Sequence, residues 1–333
     1  MSAADSLVLD RVRADGLLAK GRPVVVLLSG GRDSTCLLDV SVRIAGRDVV
    51  SALHVNYGLR AAASADERHC EELCAGLGVA LEVMRLQRPG TGNVQAWARE
   101  QRYAAAAKLA LALGGDVAAG HTKTDQVETI LYRLASSPSR RALLGMQPRE
   151  GVILRPLLSF TREQTAAYCE ARGLEWREDE TNESDAYARG RIRSGLLPAL
   201  VAVHPGAQDN VIALAETLRE EAAVLDSLVE EALDGRGEIE LASLRTLPPA
   251  IRRLVVQRLA DEAVGQPAPG AARRADEIAA LADRGRAALD LPHGVRAIAE
   301  KGVLRFELTP PLRRARKSRA QAGGHNRTGN GRS

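Results

Sequence analysis

Five consecutive apolar residues, Val24-Val25-Val26-Leu27-Leu28, run directly into Ser29-Gly30-Gly31. A short Val-rich run without polar alternation reads as a strand buried on both faces. Ser34 or Thr35 is placed to start a helix, with Cys36, Leu37, Leu38 and Val40 on its apolar side. The same succession then recurs. Apolar runs predict strands at 49–56, 80–86, 116–119 and 152–154, and helical periodicity predicts helices over 5–19, 64–77, 94–113, 124–134 and 161–172. Asn93 can cap the helix at 94–113, Gly114-Gly115 can close it, and Thr161-Arg-Glu-Gln164 is a capping box. Strands alternating with helices predict an α/β fold built on a doubly wound parallel sheet, with ligands bound beyond the carboxyl ends of the strands.

The pattern changes after residue 205. Helices are expected over 207–233, 243–264 and 271–283, and short strands at 288–291, 295–299 and 303–308. The expected organisation is a catalytic α/β domain over 1–205, a second, smaller, mostly helical substrate-binding domain over 206–310, and a basic tail over 311–333. The tail carries seven Lys or Arg and no acid, a composition expected to be disordered. A solubilising role and contact with RNA phosphates are both open for it.

Composition adds bounds. Apolar residues at 45% can fill a core, but aromatics at 3% leave that work to aliphatic side chains. A net charge of +4 is a mild pointer to a polyanionic partner. Cys36, Cys70, Cys74 and Cys169 fall in predicted helices and form no C-x-x-C pair, so they read as buried free thiols. Asp5, Asp10, Arg11 and Arg13 occupy the place of a signal-peptide core, and no apolar run reaches membrane-spanning length. A cytoplasmic protein with no membrane contact is expected.

Polar motifs stand at three predicted strand ends: 29–34, 54–60 and 121–128. Three strand ends with the same habit point to one pocket. At the first, two glycines permit a tight turn and close backbone approach, and a helix N-terminus follows, which makes an anion site. The loop is neither a Gly-Lys-Ser/Thr phosphate loop nor a G-x-G-x-x-G fingerprint. Asp33 beside a phosphate calls for a bridging divalent cation. At the third, Asp125 and Glu128 share one helical face and can grip a metal or an amine, or simply complement the helix dipole. Arg99 and Arg102 share a face of the 94–113 helix, open to phosphate, a carboxylate or a surface ion pair. Arg189 and Arg193 are i, i+4 on a predicted helix, either a solvated face or an RNA contact.

The S-G-G-x-D-S loop resembles that of the PP-loop ATP pyrophosphatase superfamily, whose fold is the adenine nucleotide α hydrolase type. The ordered set is more specific. His54-Val-Asn-x-Gly-Leu-Arg60, Ala98-Arg-x-x-Arg-Tyr103, His121-x-x-x-Asp-Gln-x-Glu-Thr129, Leu143-x-Gly-Met146, Arg155-Pro-Leu157 and Asp179-x-Thr-Asn182 resemble the tRNA(Ile)-lysidine synthetase family. The resemblance implies a ligase that uses ATP and Mg²⁺ to adenylate the wobble cytidine of tRNA(Ile) with a CAU anticodon, after which free L-lysine displaces AMP. It implies ATP binding by Ser29, Gly30, Gly31, Arg32, Asp33 and Ser34 with His54 and His121, and Mg²⁺ on Asp33. Asp33, Asp125, Arg99 and Arg102 would be catalytic, Asp125 and Glu128 would hold lysine, and Arg189, Arg191 and Arg193 would meet tRNA. A homodimer is left open. The chain departs from the family pattern at Tyr57, Thr124, Gly190 and the 135–139 turn. A tRNA thiolase of the same superfamily, or a non-catalytic RNA-binding relative, is the alternative reading.

Overall fold

The computed structural model describes residues 3–58, 63–86, 94–137, 140–177 and 188–309. The chain divides into two compact units, the first ending at Glu220 and the second beginning at Glu221.

In the first unit, α1 (Ala3–Asp15) leads to β1 (Val24–Leu27), α2 (Arg32–Ala45), β2 (Val50–Asn56), α3 (Ala63–Leu77) and β3 (Ala80–Arg85). Then come α4 (Val94–Leu113), β4 (Asp116–Ala118), α5 (Lys123–Ser136), β5 (Arg149–Glu150), β6 (Ile153–Leu154) and α6 (Arg162–Arg172). Among the described residues the sheet runs β3-β2-β1-β4-β6-β5. All neighbours are parallel except the β5–β6 pair. Consecutive crossovers leave β1 first on one side, to β2 and β3, and then on the other, to β4. The switch point therefore lies between β1 and β4, where a doubly wound sheet opens a crevice.

β1 is apolar throughout because both its faces are covered. Val24, Val26 and Leu28 enter a core with α1, α2 and α6 through Leu9, Leu37, Tyr168 and Cys169. Val25 and Leu27 face the other way, against Ala106 and Ala110 of α4. The period of two along the strand thus feeds two separate cores. A buried polar network locks α6 to α2. The Tyr168 hydroxyl donates to Asp39 Oδ2 at 2.6 Å, and the Arg172 Nε donates to the same oxygen at 3.2 Å. Arg43 donates to the Tyr168 oxygen at 3.2 Å and pairs with Asp5 of α1.

The chain continues through α7 (Ala188–Arg191), a π-helical turn at Ile192–Leu196, α8 (Leu197–Val203) and α9 (Ala207–Leu233). The rest of the second unit comprises β7 (Glu238–Glu240), α10 (Leu241–Thr246), α11 (Pro249–Val264), α12 (Ala275–Ala279), β8 (Arg286–Leu291), β9 (Val295–Glu300) and β10 (Val303–Leu308). Its strands form an antiparallel sheet in the order β7-β10-β9-β8. Ile239, Val255, Leu259, Ile278, Val295 and Leu304 meet in its core.

Several expected elements need adjustment. The helix expected over 243–264 is two helices, because Leu247 precedes Pro248 and is driven into extended backbone (φ −65°, ψ 143°). The helix expected over 271–283 is a 3₁₀ turn at Ala271–Arg274 and the short α12. Strands β5 and β7, two and three residues long, are too short to show a period. The four cysteines are buried and free. Among the described residues, no helix is long and apolar enough to cross a membrane.

Candidate active site

Residues 28–31 carry the chain from β1 into α2. Leu28 extends the sheet pairing by donating to the Leu53 carbonyl at 3.0 Å. Gly30 turns in the left-handed region at φ +81°, where a side chain would be strained and would also sit 3.2 Å from Cys70 Sγ. The helix begins at Arg32 with Gly31 as its N-cap, earlier than the Ser34 or Thr35 start expected from sequence. The glycine pair completes the turn and frees Ser34 for another use. Its hydroxyl donates to the Gly31 carbonyl at 2.8 Å, accepts from the Ser29 amide at 3.2 Å and lies 3.1 Å from the Ser29 hydroxyl. The Gly30 carbonyl accepts from the Arg177 amide at 2.9 Å. The loop is thus held from inside and from behind, while no side chain caps α2. An uncapped helix start after a pinned glycine turn has the free N–H groups and dipole that can bind an anion.

His54 lies under this loop. It is 5% exposed, with Nδ1 3.0 Å from the Leu28 carbonyl and 3.4 Å from Cys70 Sγ. Gly120, just past β4, lets the neighbouring strand end press against the loop, since a side chain there would meet the Asp33 carbonyl and Ser34 amide at 3.2 Å. His121 follows. Burial pushes its imidazole down to about 4, Asp125 pulls it the other way, and Arg155, Arg99 and Arg102 add to the fall. Its ring is therefore neutral at neutral pH, and its Nδ1 is buried without a hydrogen-bond partner.

Three carboxylates gather beside the loop. Asp33 Oδ1 accepts from the Thr165 hydroxyl of α6 at 2.5 Å. Arg32 Nε is 3.6 Å from that oxygen, and Arg162 Nε is 3.9 Å from Oδ2. Burial raises the Asp33 pKa, and the nearby Asp125 adds to the rise against the Thr165 hydrogen bond and the arginines. On α5, Asp125 Oδ2 accepts from the Thr122 amide at 2.8 Å and the Thr122 hydroxyl at 2.9 Å. Its Oδ1 faces Arg162 Nη2 at 3.5 Å and Arg193 Nη2 at 3.9 Å. Glu128, 1% exposed, is gripped in two places: Arg193 Nε donates to Oε1 at 2.6 Å and Nη2 to Oε2 at 2.9 Å. The face of α5 that carries these acids is fixed from below by Gln126, which donates to the Met146 carbonyl at 2.8 Å and accepts from the Met146 amide at 2.6 Å. The Leu143 to Met146 motif is thus the seat of Gln126.

The remaining candidate residues divide. Arg99 and Arg102 flank the Tyr103 ring at 4.9 and 5.5 Å. Partial burial lowers the Arg99 pKa, and the positive charges of Arg102, Arg189 and Arg155 add to this. Arg189 and Arg191 are exposed on α7, whereas Arg193 turns inward onto Glu128. Arg155 is buried and donates to the Gln147 carbonyl and Glu150 at 2.7 Å, so it pins the β5 hairpin. Leu59, Arg60, Asn93, Asp179, Asn182 and the 311–333 tail lie outside the described residues. Sequence reasoning passed over Arg162 and Thr165. The capping box at 161–164 already explained that stretch, and it is present, with Gln164 accepting from the Thr161 amide at 2.8 Å.

The donor set suits a magnesium ion brought in with phosphates. Asp33 is a largely buried carboxylate beside the uncapped start of α2, and Mg²⁺ commonly takes one or two carboxylates and completes its shell with phosphate and water. Among the described residues no cluster of three or more metal-ligating side chains exists that would make a closed protein cage.

Residues 6–200 match the PP-loop domain family ATP_bind_3. A tRNA(Ile)-lysidine synthase from Symbiobacterium thermophilum is 38% identical, over 91% of this chain and 70% of that one. Those from Salinispora tropica and Salinispora arenicola are 37% and 38% identical, over 85% and 88% of this chain and 90% and 92% of theirs. Among solved structures, the U34-tRNA thiolase NcsA from Methanococcus maripaludis superposes with a TM-score of 0.55 at 18% identity, over 65% of this chain and 79% of that one. That likeness is one of fold.

Proposed function

We propose a function on one premise: this chain belongs to the tRNA(Ile)-lysidine synthase family and carries a PP-loop domain over residues 6–200. The proposed reaction is an ATP-dependent ligation on tRNA(Ile) with a CAU anticodon. The C2 carbonyl oxygen of the wobble cytidine attacks the α-phosphorus of ATP. The α–β phosphoanhydride bond breaks, and its electron pair leaves with pyrophosphate. The ε-nitrogen of free lysine, after losing a proton, then forms a bond to C2. The C2–O bond breaks, AMP leaves with that oxygen, and lysidine remains.

The side chains divide this work. The amides of 29–31 and the start of α2 would bind the outer phosphates, with the Ser29–Ser34 hydroxyl pair fixing the loop. Asp33 would hold Mg²⁺, which supplies charge neutralisation at the phosphates when bound. Asp125 and Glu128 would receive the lysine ammonium, and Arg99, Arg102, Arg189 and Arg191 would meet RNA phosphates. The observation that carries the reading is the pair of hydrogen bonds from Arg193 to Glu128. A buried carboxylate that already binds a cationic nitrogen beside an anion loop is suited to an amine nucleophile beside ATP. His121, neutral and unpartnered at Nδ1 next to Asp125, would keep added positive charge out of that space.

Incorporation of labelled lysine into a CAU-anticodon tRNA(Ile) transcript, with ATP and Mg²⁺, tests the assignment. Folded protein that releases pyrophosphate with tRNA but incorporates no lysine would remove the lysidine reading and leave a different adenylating enzyme.

A further inference from the structure

Arg162 is one of two loosely held arginines around the three carboxylates, Arg32 being the other. It is the first residue of α6, with a side chain about three-quarters buried. Its guanidinium lies between Asp33 on α2 and Asp125 on α5, at 3.9 and 3.5 Å. Neither separation is a hydrogen bond. Its Nε is buried and has no hydrogen-bond partner. Arg32 shares this state beside Asp33, with a buried Nε that has no hydrogen-bond partner, but other arginines nearby are seated firmly. Arg193 holds Glu128 at 2.6 and 2.9 Å, and Arg177 holds Asp66 at 2.7 Å. A buried guanidinium N–H left without an acceptor is costly, so a site that keeps one in place is short of an acceptor. The Arg162 Nε has no acceptor, and both neighbouring carboxylates lie at ion-pair rather than hydrogen-bond distance.

Thr165 bears on the same point. It stands one helical turn after Arg162 on the same face of α6 and donates to Asp33 Oδ1 at 2.5 Å. One side chain of α6 thus sets the orientation of Asp33, and another lies on its far oxygen. The Asp39–Tyr168–Arg172 network fixes α6 to α2, so neither side chain depends on a mobile element for its place.

We propose that Arg162 is a catalytic residue of the adenylation step, donating to a non-bridging oxygen of the α-phosphate. This rests on the ATP-dependent reading above. Its present place between two carboxylates is the ligand-free resting position, in which it screens Asp33 from Asp125. The outer phosphates belong to the loop and the start of α2. Arg162 stands between the carboxylate assigned to the metal and the one assigned to the amine, and there the α-phosphorus would sit for cytidine and lysine to meet. A planar fork of donors matches an anionic phosphoryl oxygen, and a donor aimed where charge develops acts chiefly in the transition state.

Four measurements test this on the full chain. In tRNA-dependent pyrophosphate release, Arg162→Gln is expected to lower kcat by about 100-fold, with Arg162→Lys recovering part of it. Binding of a non-hydrolysable ATP analogue in EDTA, read by calorimetry, should weaken about tenfold in Arg162→Gln. The two diastereomers of α-thio-ATP separate contact from scaffolding: the wild type should discriminate between them, and Arg162→Gln should lose most of that discrimination. Thr165→Val should raise the Mg²⁺ requirement and leave the diastereomer ratio as in the wild type. If the wild type releases no pyrophosphate with tRNA, the underlying reading fails, and this proposal with it. If the wild type is active and a folded Arg162→Gln keeps both its rate and its diastereomer ratio, only the role given to Arg162 is overturned.

Discussion

The two helix starts that face each other across the crevice, at α2 and α5, use their first-turn carboxylates in opposite ways. At α5, Asp125 folds back onto its own N-cap and takes two hydrogen bonds from Thr122. One of its oxygens is spent on the helix, and the start of α5 is closed. At α2 no side chain caps the helix, and Asp33 turns away to Thr165 and the arginines. The difference assigns each end a task. The open start would take an anion on the proposed reading, and its carboxylate is largely buried, which raises its pKa. The closed start offers its remaining oxygen and Glu128 one turn on, both facing Arg193, as a seat for a cation. On the function proposed above, one end of the crevice would take phosphate and the other a positively charged group.

Removing the carboxylate at the open end breaks this comparison most severely. Asp33→Asn should reduce tRNA-dependent pyrophosphate release by about a thousandfold, since a neutral amide neither holds Mg²⁺ nor replaces its charge. The same change should raise the melting temperature at neutral pH. The folded pKa of Asp33 lies above its ordinary value of 3.8, so below that value both folded and unfolded chains carry the proton and nothing is lost. As pH rises through the window above 3.8, the unfolded chain releases its proton first, and the charged form then penalises the fold. Thermal melts across pH should show the Asn variant gaining on the wild type over that window and meeting it below. A variant that is both inactive and less stable at neutral pH would mean that Asp33 is held mainly as an ion-pair partner.

At the closed end, Glu128→Ala should raise the lysine concentration needed for half-maximal ligation about 100-fold, while pyrophosphate release stays within about tenfold of the wild type. It also removes the bidentate partner of the largely buried Arg193 guanidinium, at a cost of about 3 kcal/mol in urea denaturation. Equal losses in both half-reactions would move Glu128 to the adenylation step and erase the division between the two ends.

This division was only partly legible in the chain. The apolar run at 24–28, the glycine pair after it and the acids at 125 and 128 predict a buried strand, an anion loop and a paired acidic face, and those elements meet in one crevice. Two long helices, Val94–Leu113 and Ala207–Leu233, have the bounds that periodicity predicts. The orientation of Arg193 was hidden for a specific reason. Spacing of i, i+4 places it beside Arg189 on an ordinary helix, but the π turn at Ile192–Leu196 interrupts that phase, leaving Arg189 exposed and Arg193 on Glu128. Arg162 was hidden because a local rule, the capping box, fully accounted for its surroundings. Its two carboxylate neighbours are 129 and 37 residues away in sequence, a proximity that only the sheet order creates.

A smaller effect sharpens the comparison at Asp125, which has both a structural and a chemical task. Asp125→Ala should lose about 1 kcal/mol of stability through the Thr122 contacts, together with lysine affinity. Asp125→Asn keeps an acceptor oxygen for the Thr122 amide and should lose lysine affinity alone. Denaturation and lysine titration on the two variants separate these contributions. Similar stability losses in both would show that the charge of Asp125, and not its acceptor geometry, holds the start of α5.

The smallest effect concerns His121, which joins the two ends, with Gly120 against Asp33 before it and the α5 cap after it. The groups that set its titration are Asp125 on α5, Arg155 beyond β6, and Arg99 and Arg102 on α4. Burial and the three arginines outweigh Asp125, so its folded pKa falls from 6.5 to about 4. Between those values the unfolded chain binds a proton that the folded chain refuses, so stability must rise with pH across that interval and lose its dependence on this group above it. His121→Gln, which cannot titrate, should flatten that part of the stability profile while leaving the melting temperature at neutral pH nearly unchanged. An unchanged acid slope in the variant would mean that the ring titrates in the fold as it does in the unfolded chain. Below about pH 6.5 the crevice would then carry an extra positive charge beside Asp125, weakening the cation seat proposed for the closed end.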